Sequence, residues 1–394
     1  MNGVEGFMYP NEVGLQWSVL IVLYPFITGL VAGAFILASL ERVFRVEAVK
    51  PTYRLALLTA LSFLLVAPLP LQLHLGHPER SPEMYFTPHS TSAMAMFGYV
   101  YLWYLMAVLV LEIWLDYRRD IVMLYQSSKG LLRLVYGIMT LGSTNISERA
   151  LAIDDKVGWI VTLIGIPSAF MLHGYVGFIF GSIKANPWWS SPLMPVVFIF
   201  SAMVSGIAAV MLIYMVTTKA RGFKIDIRCV DAIAMYLFYI FIIDFGLEML
   251  DLIHRIYLAE DSFRSLDFMV HTKLYFSQIV VQLCLGTGVP LILLFITQVA
   301  KSNLAESTRK AMYTTSAILA LIGIFAMRWN VVIGGQLFSK SFLGYTTYKM
   351  ELVTREGLLP AIIFILMPLG ILAVLVKLLP PWQESEAHPV AAGD

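Results

Sequence analysis

The sequence predicts an all-helical integral membrane protein, built from about nine transmembrane helices. Three observations carry that expectation. Of 394 residues, 59% are hydrophobic and only 13% are charged, with a mean hydropathy of +0.77; a water-soluble domain carries about 25% charged residues. Nine mainly apolar stretches are each long enough to cross a bilayer, which takes roughly 20 residues: about 15–41, 53–74, 92–116, 157–182, 193–217, 229–257, 268–299, 310–335 and 358–379. Basic residues also gather in alternate loops.

Those loops set the orientation, because Lys and Arg near span ends stay on the inner side. Arg42, Arg45, Lys50 and Arg54 follow the first stretch, and Arg118, Arg119, Lys129 and Arg133 the third. Lys219, Arg221, Lys224 and Arg228 follow the fifth, and Lys301, Arg309 and Lys310 the seventh. The other loops, 75–91, 183–192 and 258–267, hold fewer basic residues, balanced by acids; 336–357 is more mixed. The expected topology is multi-pass, with the N-terminus outside and the C-terminus cytoplasmic. Residues 1–14 are polar and acidic, without the basic region and small-residue cleavage site of an export signal.

The organisation expected from this is a first four-helix bundle (1–190), a second (191–335), and an outer loop with a last helix and a disordered tail (336–394). Within the first bundle, 117–156 interleaves apolar and basic residues, as in a helix lying at the cytoplasmic interface; a short tenth hydrophobic element is the alternative. The net charge of +1 and the absence of a basic motif give no reason to expect nucleic acid. With two cysteines, Cys229 and Cys284, on different spans, the chain cannot ligate an iron–sulfur cluster, which needs four cysteines or a Cys/His set. No metal site is expected.

Polar groups at membrane depth point to chemistry, since they are expensive to keep there. His173 and Tyr175 lie in the outer half of the fourth stretch, which breaks at Asn186-Pro187-Trp188-Trp189. Tyr24 lies on the first stretch and His74 at the outer end of the second. All four fall at a similar depth near the outer face. His173 and Tyr175 are two residues apart, about 200° around a helix, so only one points straight into a shared pocket. Tyr175 is assigned there, and His173 to the bundle seam.

A second constellation occupies the sixth stretch: Asp244, Glu248, Asp251, His254 and Arg255. Asp244, Glu248, Asp251 and Arg255 fall on one helical stripe. Arg328 on the eighth stretch, with His271 and Lys273 near the seventh, matches their depth. Charges in a membrane usually pair, so ion pairing among these spans is expected, either as a structural network or as part of a proton route. The spacing Gly29/Gly33 reads as close helix packing.

Four motifs, in order, resemble the NrfD / polysulfide reductase membrane-subunit (PsrC-like) family. They are Leu-Tyr-Pro-Phe-Ile-Thr-Gly-Leu-Val-Ala-Gly-Ala-Phe at 23–35, His74-Leu-Gly-His-Pro-Glu-Arg80 with Pro88-His89-Ser90-Thr-Ser92-Ala-Met, Tyr175-Val-Gly-Phe-Ile-Phe, and Asn186-Pro-Trp-Trp followed by Ser191-Pro192-Leu193-Met194-Pro195. They cover the first five spans, roughly half the chain.

The resemblance implies a quinone-binding subunit (menaquinone or ubiquinone) of a respiratory oxidoreductase in a bacterial inner membrane, with no haem or iron–sulfur cluster of its own. Its implied partners are an iron–sulfur, ferredoxin-like subunit and a catalytic molybdopterin or multihaem cytochrome subunit on the outer face. Proton transfer would accompany electron exchange. Carried over, the quinone-binding residues are Tyr24, His74 and Tyr175, to which the depth argument above adds His173. Tyr24 stands where the family often has a histidine, and His74 where it often has an aspartate. Glu79, Arg80 and Trp188 fall on the expected docking loops. Physically, a quinone needs polar partners in an otherwise apolar pocket and a titratable group near an oxygen. Two other readings compete: a haem b quinol dehydrogenase anchor ligated by His74, His173, His254 or His271, and a secondary transporter.

Overall fold

The computed structural model describes residues 4–87, 89–258, 260 and 262–382. The expected disordered tail and Pro88 lie outside the described residues.

Nine of the described helices are long and apolar enough to span a membrane: Val19–Arg42, Glu47–His74, Ala95–Ser127, Glu148–Gly181, Met194–Ala220, Ile227–Leu258, Tyr275–Val299, Glu306–Gln336 and Leu358–Leu378. They are spans 1 to 9 below. The protein is an all-α integral membrane protein. Strand is confined among the described residues to one two-residue pair, Glu5–Gly6 (β1) antiparallel to Gly344–Tyr345 (β2).

Local chemistry sets the ends of the helices. Ser18 caps span 1, its hydroxyl accepting from the Leu20 N–H, and Ser147 caps span 4 by accepting from the Ala150 N–H; each satisfies an otherwise orphaned donor. Pro195 sits in the first turn of span 5, where its missing N–H costs nothing.

Span 1 is the centre of the molecule, with 94% of its most apolar window buried. It packs most extensively against span 5, and also against spans 2, 4 and 8. The crossing of spans 1 and 5 depends on two glycines. A Cβ at Gly33 would lie 2.3 Å from the Ala202 carbonyl oxygen, and one at Gly206 would lie 2.4 Å from the Gly33 Cα. Small residues let backbones meet in this way, and close packing drives helix association in lipid. Span 5 continues the interface to spans 4, 6 and 8. Span 9 packs on the outside, against spans 2 and 1.

Residues 117–156 are largely continuations of spans 3 and 4 beyond the apolar stretches, joined through a short helix, Gly130–Met139. That helix exposes Leu131, Leu132, Leu134 and Ile138. It is anchored by Tyr136, whose hydroxyl donates to the Leu378 carbonyl, and by Trp114, which donates to the Met139 carbonyl. Ten residues rise about 15 Å, too short to cross a bilayer.

On the opposite face the N-terminal segment and the 336–357 loop form a cap. Beyond the β1–β2 pair, the Trp17 N–H donates to Gln336 Oε1 at 2.9 Å, Ser339 donates to Glu12, and Lys273 pairs with Glu5 at 2.6 Å.

Candidate functional site

Two clusters of polar side chains meet where spans 1, 4, 5 and 8 converge. The first is aromatic. Tyr24 of span 1 stands edge-on to Phe97 of span 3, with ring centroids 5.2 Å apart, and Phe97 stacks on Tyr175 of span 4 at 6.4 Å. Phe97 is thus a shared wall between the two tyrosines. Tyr175 is half-buried. The Tyr24 side chain is buried, yet among the described residues its hydroxyl has no hydrogen-bond partner. A buried hydroxyl left unpaired costs free energy, so this one is able to bond a polar atom brought beside Phe97 and Tyr175.

The second cluster is a hydrogen-bonded chain. His173, fully buried, places Nδ1 3.3 Å from the Thr28 hydroxyl. Its Nε2 accepts from the Arg328 guanidinium at 3.0 Å. The same guanidinium donates to Ser201 Oγ at 2.7 Å and lies 3.9 Å from the centre of the Phe198 ring, a cation–π contact. Thr28 in turn donates to the Tyr24 carbonyl at 2.9 Å. Gly29 makes room for the imidazole: a Cβ there would be 3.3 Å from His173 Cε1.

Span 6 distributes its charges differently from the sequence expectation. Asp251 pairs with Arg255 at 2.9 Å, one turn along the same helix. Both also tie down the outer loop: Ser191 donates to Asp251, and Arg255 donates to the Pro187 carbonyl. Glu248 accepts from Gln282 of span 7 at 3.3 Å, Gln282 accepts from Asn330 of span 8 at 2.8 Å, and Asn330 accepts from Ser277 at 2.6 Å. Asp244 is buried, and its Oδ1 has no partner. Among the described residues no carboxylate lies within 4 Å of Arg328. Arg328 makes its direct contact to His173 of span 4, while Asp244 and Glu248 of span 6 act on it from beyond ion-pairing distance.

The remaining predicted residues scatter. His74 bonds Glu356 of the cap at 2.8 Å. Glu79 and Arg80 are exposed, and Glu79 pairs with His77 at 3.0 Å rather than with Arg80. Trp188 is half-buried, its indole donating to the Asn330 carbonyl at 2.8 Å. His254 is exposed beside an outer cavity of about 350 Å³ that it lines with Lys184 and Arg255. His271 is exposed and pairs with Asp267. Both ring nitrogens of His173 are engaged, which leaves it no lone pair for a haem iron. Among the described residues no three His, Cys, Asp or Glu side chains gather as metal ligands.

Three buried acids escaped the sequence reading: Glu112, Asp231 and Asp154. Glu112 of span 3 is 1% exposed; it accepts from Thr162 at 2.7 Å and Tyr53 at 3.3 Å, while its Oε2 has no partner. Asp231, in the first turns of span 6, binds Arg309 at 2.5 Å, Lys301 at 3.0 Å and the Tyr313 hydroxyl at 2.8 Å. The signal for Glu112 was present, as a lone charge inside an apolar run.

The family described as "Polysulphide reductase, NrfD" matches residues 8–340. The chain belongs to that NrfD family. Among its relatives, it is 34% identical over 204 residues to a selenate reductase subunit of Mesobacillus selenatarsenatis, covering 50% of this chain and 48% of that protein. To "Protein NrfD" of Escherichia coli it is 29% identical, covering 51% of this chain and 60% of the other. To "Protein NrfD homolog" of Haemophilus influenzae it is 24% identical, covering 84% and 97%. The chain therefore spans about half the length of the selenate reductase protein it matches and three fifths of the Escherichia coli protein.

Proposed function

We propose that this chain is the quinone-reactive membrane subunit of a respiratory oxidoreductase. It exchanges electrons between the membrane quinone pool and an iron–sulfur partner on the outer face, which serves a molybdopterin or multihaem catalytic subunit. The chemistry is quinone plus two electrons and two protons, in equilibrium with quinol. The observation that carries the reading is the buried, unpartnered Tyr24 hydroxyl beside the Phe97–Tyr175 wall. It offers one hydrogen bond to a carbonyl in an otherwise apolar site, which is what a quinone needs. Tyr175, two residues from His173 and half-buried, is assigned the second polar contact, and His74 the pocket's outer rim, held by Glu356. Membership in a family whose named relatives include a reductase subunit supports the same assignment. The acids of span 6 are assigned to an ion network that steadies the outer loop, with Asp244 and Glu248 as its proton-exchanging members.

The test is purification of the complex from membranes, with quinone extracted and quantified. Bound quinone is expected. In Tyr24→Phe, affinity should fall by about tenfold, the value of one hydrogen bond of roughly 1.4 kcal/mol, with folding untouched because the hydroxyl bonds none of the described residues. Preparations of intact complex without quinone, and with no quinone-dependent electron transfer, would refute the assignment.

A further inference from the structure

Arg328 is the largest fully buried side chain of the molecule's described residues, and among them no carboxylate lies within ion-pairing distance of it. A buried cation without a paired anion costs several kcal/mol, so its retention needs a reason. Its hydrogen bonds supply one. The Thr28 hydroxyl carries a single proton, which it donates to the Tyr24 carbonyl at 2.9 Å. At the 3.3 Å contact with His173 Nδ1 it must therefore accept. Arginine has donors only, so His173 Nε2 must be the acceptor at 3.0 Å. Ser201 donates to the Val197 carbonyl at 2.7 Å and accepts from Arg328. The network thus assigns a neutral imidazole with its proton on Nδ1, and both ends demand the same tautomer.

The charge also has a direction of action. His173 is two residues from Tyr175, and Thr28 is one turn from Tyr24. The chain Arg328 to His173 to Thr28 to the Tyr24 backbone ends at the pocket wall. The carboxylates whose field reaches Arg328 are Asp244 and then Glu248 on span 6, and neither lies within ion-pairing distance. Spans 1, 4 and 5 bring no carboxylate to it: their contributions here are Thr28, His173, Phe198 and Ser201.

We propose that Arg328 is a positioning residue of the quinone pocket, locking His173 as the neutral Nδ1–H tautomer and holding a positive charge behind the pocket wall that favours the reduced, anionic quinone. The inference rests on the quinone reading above and deepens it. The step concerned is arrival of one electron from the iron–sulfur partner, which converts quinone to its semiquinone anion before a proton is taken up. No bond breaks, and a fixed positive charge in a dry site stabilises charge that develops in this way. His173 is then an orienting group and not the proton donor.

Two measurements on the intact complex test this. With ¹⁵N-labelled histidine, the wild-type His173 signal, assigned by its loss in His173→Gln, should show a protonated Nδ1 and a bare Nε2. A proton on Nε2, or on both nitrogens at neutral pH, overturns the lock. In Arg328→Gln, affinity for the one-electron-reduced quinone relative to quinone, read from the semiquinone resonance during a redox titration, should fall by roughly tenfold. Arg328→Lys should recover most of that ratio. Equal weakening of both quinone forms, or no change, overturns the proposed charge effect and leaves quinone binding itself intact. Absence of quinone from the wild-type complex instead removes the quinone reading and the charge effect with it, while the histidine spectrum still decides the lock. Should Arg328→Gln fail to accumulate, the wild-type spectrum and the ratio in Arg328→Lys carry the test, and a Lys variant with a ratio as low as that of Arg328→Met counts against it.

Discussion

At the scale of the residue, the molecule separates polar groups that are satisfied from those that are not. Glu112 is satisfied on one oxygen only, by Thr162 and Tyr53. Glu112→Gln keeps an acceptor for both donors and should leave the unfolding midpoint in detergent within about 1 kcal/mol of the wild type. Glu112→Leu orphans the Tyr53 hydroxyl, while Thr162 keeps its bond to the Gly158 carbonyl at 2.9 Å, and should cost about 1–3 kcal/mol more. Equal stability of the two variants would mean that the carboxylate bonds contribute nothing. Arg118 makes a comparable anchor at the inner end, where it pairs with Asp154 at 2.8 Å and both are nearly buried. Removing one partner of such a pair strands the other, so Asp154→Ala should destabilise by about 3–5 kcal/mol, far more than Glu79→Ala, whose partner His77 is solvent-exposed.

At the scale of the element, the governing contact is the glycine crossing of spans 1 and 5. Gly33→Leu forces a side chain into 2.3 Å of backbone oxygen, and overpacking of this kind costs about 1–3 kcal/mol or more. The expected result is loss of the folded protein or a clear fall in its midpoint, whereas Gly370→Leu on span 9, with open space around its Cβ, should be silent. Spans 7 and 8 repeat the device, since a Cβ at Gly286 would meet Gly323 Cα at 2.2 Å. Spans 3 and 7 share another feature: each contains a π-helical stretch, Trp103–Val110 and Tyr275–Gly288. Such stretches recur at functional sites. Here the first precedes Glu112, and the second carries Gln282, which donates to Glu248.

At the scale of the whole molecule, the cap of β1, β2 and the 336–357 loop closes the face toward which His74, Tyr24 and Tyr175 lie. It is fastened by the Lys273–Glu5 and Ser339–Glu12 contacts and by Gln336 on Trp17. Membrane orientation is checked by single cysteines in whole cells. Lys340→Cys in the cap should react with an impermeant maleimide from outside, and Lys129→Cys, beside the Gly130–Met139 helix, only after the membrane is opened. The reverse pattern would invert the topology and move the pocket to the cytoplasmic side.

The primary structure by itself determined the fold class and the number of spans. Apolar length and low charge are one-dimensional properties, and a bilayer leaves the backbone few alternatives to the helix. The motifs of spans 1 to 5 likewise pointed to the family, and the aromatic and imidazole groups at outer depth drew attention to Tyr24, His173 and Tyr175. Helical periodicity placed Asp251 and Arg255 on one stripe correctly, since both lie on the same helix. What only the tertiary structure decided is which spans face each other. Arg328 bonds His173, His74 bonds Glu356, the Trp188 indole donates to the Asn330 carbonyl, and Phe97 packs against both Tyr24 and Tyr175. The physical reason is that depth along a helix can be counted from the chain, whereas rotation about its axis and choice of neighbour follow from close packing, set here by Gly33 against Gly206.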